Sequence, residues 1–154
     1  MTVEIVGLAK DFIKVASLAG IPMTADDLIV ESLRVPHSPP TRLPIRKVAV
    51  YIFCHEGRAL KIGKAGPNSN ARYTSQHYSP RAAKSTLAAS ILKHGKEIGV
   101  HGMTESAVGS WIRANTDRYN FLLDSGYPIR LLTLLESFLQ CRLDPVFEGF
   151  SSQR

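Results

Sequence analysis

A chain of 154 residues with 44% apolar and 21% charged side chains can bury one ordinary core but not two full domains. No apolar run approaches the ~20 residues of a membrane span, and Glu4 and Asp11 stand where a signal peptide would carry basic residues. A cytoplasmic protein with no membrane partner is therefore expected. The net charge of +6 is uneven: Arg42 to Lys96 holds eleven Lys and Arg against one acid, Glu56, while the rest of the chain holds eight basic and twelve acidic residues. That concentration points to a polyanion, most simply nucleic acid, although a solvated basic face would look the same. Cys54 and Cys141 share no CxxC or Cys/His spacing, so they read as reduced thiols, not as a zinc site or disulfide framework.

In chain order, VEIVGLAKDFIKVASL (3–18) puts Ile5, Leu8, Phe12 and Val15 on one helical stripe, stopped by Gly20 and Pro22. Thr24 with Asp26 and Asp27 predicts the start of a second helix reaching about Leu33. The pair admits a helix-turn-helix or a plain helical hairpin. VPHSPPTRLP carries four prolines and reads as an extended connector. Strands are predicted near 47–54 and 59–63, joined at Glu56-Gly57 as a hairpin. A short helix follows at Ala71–His77, then helices over Arg81–His94 and from a Thr104 cap to about Asn115. YNFLL (119–123) is a third strand, and a helix runs from Pro128 to about Arg142, ended by Asp144-Pro145. The expected class is α+β: a small three-stranded antiparallel sheet flanked by helices. The expected divisions are an N-terminal helical extension (1–35), a connector (36–45), a main domain (46–150) and a tail (151–154).

Two strands, an arginine on a helix and a lone glutamate on a late helix stand in the order of the GIY-YIG nuclease superfamily, which this chain resembles. Ala49-Val50-Tyr51 occupies the place of Gly-Ile-Tyr, and Lys61-Ile62-Gly63 that of Tyr-Ile-Gly. Arg72 and Glu136 stand where the family has its helical arginine and metal-binding glutamate. The family ends in asparagine after a proline, whereas this chain reads Pro145-Val146-Phe147-Glu148. LKIGKAG followed by ARYTSQHY is closest in character to the type II restriction endonuclease branch, where a lysine at position 61 belongs to the active site. The resemblance covers residues 46–150. In that branch, N-terminal additions such as 1–35 help grip DNA.

The resemblance implies a metal-dependent endonuclease on double-stranded DNA, a homodimer where the site is palindromic. Tyr51 would act as general base beside the attacking water, with Lys61 favouring its phenolate. Arg72 would neutralise the phosphorane oxygens. Glu136 would hold one Mg²⁺, which Mn²⁺ could replace. Lys64 would orient water or bind phosphate, and His77 has the side chain for proton transfer. Two other readings stay open: a structure-specific or nicking nuclease of the same fold, and a catalytically inactive DNA-binding module. Each residue also has a structural reading. Tyr51 suits a core, Lys61 and Lys64 suit an edge strand, Arg72 suits a helix surface, and Glu136 suits a core boundary beside Leu132 and Gln140.

Overall fold

The chain reverses at Glu56-Gly57, whose φ angles of 49° and 79° are those of a type I′ turn. That turn joins β2 (Lys47–His55) to β3 (Arg58–Ala65), paired antiparallel with a bulge between Phe53 and Cys54. The computed structural model describes residues 2–148, so the expected tail lies outside the described residues.

The sheet has four strands, in the order β1-β4-β2-β3. The extra one is β1 (Leu28–Leu33), within the stretch expected to be helical. The helix-start signal at Thr24 is genuine: the Asp27 carboxylate accepts from the Thr24 amide and hydroxyl at 2.7 and 3.0 Å. It supports only one 3₁₀ turn, Ala25–Asp27. Beyond it, β-branched Ile29 and Val30 pair with Leu122 and Phe121 of β4 (Asp117–Asp124), and that pairing overrides the local signal. β4 is therefore an inner strand, with β1 on one side and β2 on the other.

Both faces of the sheet are covered, which is why the inner strands read as nearly continuous apolar runs. On one face, α1 (Thr2–Leu18) buries Ile5, Leu8, Phe12 and Ala16. They join Leu131, Leu132, Leu135 and Leu139 of α5 (Ile129–Leu143). On the other face, Tyr51, Phe53 and Leu122 meet Tyr73, Tyr78, Leu87, Ile91, Val108 and Ile112. These come from α2 (Asn70–Thr74), a 3₁₀ turn (Gln76–Tyr78), α3 (Leu87–His94) and α4 (Glu105–Asn115). The start expected for the third of these at Arg81 moves to Leu87. There the Thr86 hydroxyl caps the Ala89 amide at 3.1 Å.

The outer edge of β3 is partly paired by the chain's last described segment: Val146 and Phe147 donate their amides to Ala59 and Leu60 at 3.0 and 2.9 Å. The proline-rich connector is pinned to the sheet by His37. Its Nδ1–H donates to the Thr116 carbonyl at 2.7 Å, leaving Nε2 to accept from the Tyr78 hydroxyl at 2.8 Å. Among the described residues no helix is long and apolar enough to cross a membrane.

Candidate active site

Strand alternation puts Tyr51 on the face that α2–α4 cover, opposite Gly63 in register. The tyrosine ring lies across that glycine. A Cβ built on Gly63 would stand 2.6 Å from the Tyr51 hydroxyl oxygen and 2.8 Å from two ring atoms. Side-chain absence at Gly63 is what lets the ring lie flat over β3. Gly63→Ala is therefore expected to force the ring off its seat. Overpacking on that scale costs about 1–3 kcal/mol, read as a lowered melting temperature.

The Tyr51 hydroxyl meets His77 Nε2 at 2.6 Å, and the other ring nitrogen, Nδ1, accepts the Leu87 amide proton at 3.1 Å. A backbone N–H can only donate, so Nδ1 carries the lone pair and the neutral ring keeps its proton on Nε2. His77 is thus the donor to Tyr51, not the acceptor. Burial, followed by the charges of Arg72, Lys61 and Arg118, holds the imidazole well below its usual range, so it stays neutral. His77 therefore orients the phenol and cannot take its proton while Leu87 holds Nδ1.

Burial pushes the Tyr51 phenol up to about 12, against the pull of Arg72 and Arg118 and with a smaller upward push from Glu136. Arg72, on α2, lies close enough to the phenol to favour its anion. Lys61 was expected to be the cation favouring phenolate. It shares the Tyr51 face but pairs with Phe53, and its side chain, 3% exposed, is engaged by Glu148 at 3.3 Å. Arg72 and Arg118 are the cations that act most on the phenol, while Lys61 acts on His77. Glu148 also accepts from the Ile62 amide at 3.4 Å, which fixes the last described residues beside the lysine.

Lys64 alternates to the opposite face, where its Nζ lies 2.6 Å from Glu136 Oε2. Glu136 stands on α5 beside buried Leu132 and Leu135, its side chain 16% exposed, at the core boundary its flanking residues imply. Tyr51, Arg72 and His77 thus meet on the face that α2–α4 cover, whereas Glu136 and Lys64 pair on the opposite face. Lys61 shares the Tyr51 face but is engaged by Glu148, and Glu136 reaches the phenol only through its charge.

Arg118 escaped the sequence reading. It lies on β4, opposite Phe53, and Asn120 lies opposite Tyr51. It is 0% exposed, with its guanidinium carbon 4.9–5.1 Å from the ring centroids of Tyr51, Phe53 and Tyr73. The available signal was alternation: Arg118 and Asn120 are the polar residues on an inward face of an otherwise apolar strand.

No family model, curated protein or solved structure matches this chain.

Proposed function

We propose that the chain is a metal-dependent endonuclease that hydrolyses phosphodiester bonds in duplex DNA, of the site-specific type. The observation that carries this reading is the Tyr51 hydroxyl. It accepts from His77, with the Arg72 cation beside it, the Arg118 cation over its ring and a carboxylate, Glu136, in its field. His77 donates to the oxygen, so the phenol's own proton finds no acceptor there, and the Arg72 and Arg118 charges favour the oxygen as an anion. Tyr51 is 0% exposed in the free protein, so once DNA binding opens its oxygen to water, such an oxygen suits taking a proton from the attacking water.

Glu136 fits a divalent ion only in part. Among the described residues no group of three or more acid, His or Cys ligands exists, so Glu136 would hold the ion with little other help from such side chains. Magnesium tolerates this because it keeps several waters and binds substrate phosphate oxygens. The Lys64 ammonium already on Oε2 shows that this carboxylate attracts a cation. The chemistry such an ion supplies when bound is neutralisation of charge at the phosphate and the departing 3′-oxygen. Arg72, half-buried at the phenol, is placed to bind the equatorial phosphate oxygens. His77 keeps the phenol aimed, and the apolar layer around Tyr51 excludes bulk water.

Incubation with plasmid and linear duplex DNA in Mg²⁺ tests the reading. Defined fragments with mappable ends are expected. Cleavage only at branches, or random nicks, would indicate a structure-specific or nicking enzyme, and no cleavage at all would overturn the reading. The basic middle third carries a separate expectation. Duplex affinity should fall by at least about tenfold between 50 and 200 mM salt, as counterion release requires. A flat affinity over that range would remove the polyanion partner.

A further inference from the structure

Arg118 is a fully buried cation that makes no ion pair with a carboxylate among the described residues. Leaving a guanidinium in that state is expensive unless its donors and its charge are both answered. The donors are answered by neutral groups. Nε donates to Asn120 Oδ1 at 2.9 Å, one terminal nitrogen to the Tyr73 carbonyl at 2.6 Å, and the other to the Tyr78 hydroxyl at 3.2 Å. The charge is answered by the faces of Tyr51, Phe53 and Tyr73. The nearest acid in the network is one step away: Asn120 Nδ2 donates to Glu31 Oε2 at 3.4 Å. A neutral cradle of this kind leaves the positive charge unneutralised and fixed in place.

We infer that Arg118 is a positioning residue for the Tyr51 phenol, a sealed positive charge that seats the ring against β3 and stabilises negative charge on its oxygen. The inference rests on the reading of Tyr51 as the group that takes the proton of water. Arg72 can supply a similar field but sits half-buried, where a bound phosphate would neutralise it. Arg118 is out of reach of substrate, so its field persists when DNA arrives. The other charged or titratable groups on the phenol's face are Arg72 from α2, His77 from the 3₁₀ turn and Lys61 from β3, whose ammonium Glu148 engages, while Glu136 of α5 acts from the opposite face. Of these, His77 is neutral and Glu136 opposes the effect.

Two variants separate charge from structure. Arg118→Gln keeps donors and removes the charge, and Arg118→Lys keeps the charge and loses the fork. Placing 3,5-difluorotyrosine at position 51 makes the phenol acidic enough to titrate while the protein is folded, and ¹⁹F NMR reads its midpoint without reference to activity. Arg118→Gln should raise that midpoint by about one pH unit or more. In the unlabelled protein its cleavage rate should fall by the matching factor, along a pH–rate line parallel to wild type, with DNA affinity unchanged. Arg118→Lys should hold the midpoint within about half a unit and cleave within about tenfold of wild type.

An unmoved midpoint in a folded Arg118→Gln protein overturns the inference whatever the activity. If Arg118→Gln does not fold, the lysine variant decides: a folded Arg118→Lys protein with a midpoint displaced upward overturns it. A displaced midpoint in a protein that cuts no DNA would sustain the coupling while removing the nuclease reading, so the two failures are distinct.

Discussion

Tyr51→Phe is expected to give a folded, DNA-binding protein whose cleavage rate falls at least about a hundredfold, the scale of general acid–base catalysis. The ring would keep its ring contacts with Phe53 and His77, and losing the hydroxyl, the atom nearest Gly63, only relaxes that close approach. What is lost is the oxygen that accepts from His77 Nε2 and whose anion Arg72 favours. A buried N–H left without an acceptor costs about 1–3 kcal/mol, so the melting temperature should drop by several degrees and no further. The pH dependence sharpens the expectation. Since burial pushes the phenol up to about 12, only a minute fraction is ionised at neutral pH in the free protein. Cleavage by wild type should then rise about tenfold per pH unit from 6 towards 9, if Tyr51 must be ionised to act. The stability linkage has the opposite sense. The folded value lies above the ordinary 10.0, so the stabilisation from the neutral phenol is complete below about pH 10 and lost as pH rises through about 12. Raising pH should therefore speed the reaction well before it weakens the fold. Near-normal cleavage by folded Tyr51→Phe would exclude the phenol as base.

The elements that local chemistry specifies were legible. The I′ turn needs positive φ at two residues, and Glu56-Gly57 between apolar runs announced it. The stripe on α1 and the start of α5 at Pro128 followed from helical period and capping, with Ala16 replacing Val15 as its deepest residue at that end. β1 was not legible, because its extended state is imposed by β4, a partner some ninety residues later. The site divides the same way. Order along the chain singles out Tyr51, Arg72 and Glu136 as candidates. Their real electrostatic neighbours depend on cross-strand register, which a sequence does not print. A one-residue bulge at Phe53/Cys54 sets Lys61 opposite Phe53, and the alternation of β3 sends Lys64 to the other face. His37 looked like part of a loose proline linker because its partners, Thr116 and Tyr78, lie far off in sequence.

Glu136→Gln should separate an enzyme from a binding module most cleanly. Glutamine keeps nearly the same shape and can still accept from Lys64, but it lacks the charge that draws a divalent ion. Cleavage in Mg²⁺ should collapse, while duplex affinity measured in Ca²⁺ holds or tightens, because one negative charge no longer repels the phosphates. Stability is the discriminating readout. The Glu136–Lys64 pair is short, yet the lysine side chain is 38% exposed, which places its worth at about 1 kcal/mol or less after solvent screening. The melting temperature should therefore move by roughly 4 °C at most. A carboxylate kept only to anchor Lys64 predicts a different set of results. Glu136→Gln and Lys64→Met would then behave alike, each losing activity only as far as it loses fold, and added Mn²⁺ would rescue neither. If Glu136 serves the metal, Lys64→Met removes a competing cation from its Oε2 and should tighten Mg²⁺ binding, seen as a larger thermal shift on adding the ion. Glu136→Gln should abolish that shift. A stable Glu136→Gln protein that binds DNA and cuts at the wild-type rate would remove Glu136 from the metal site and leave Lys64 as its whole purpose.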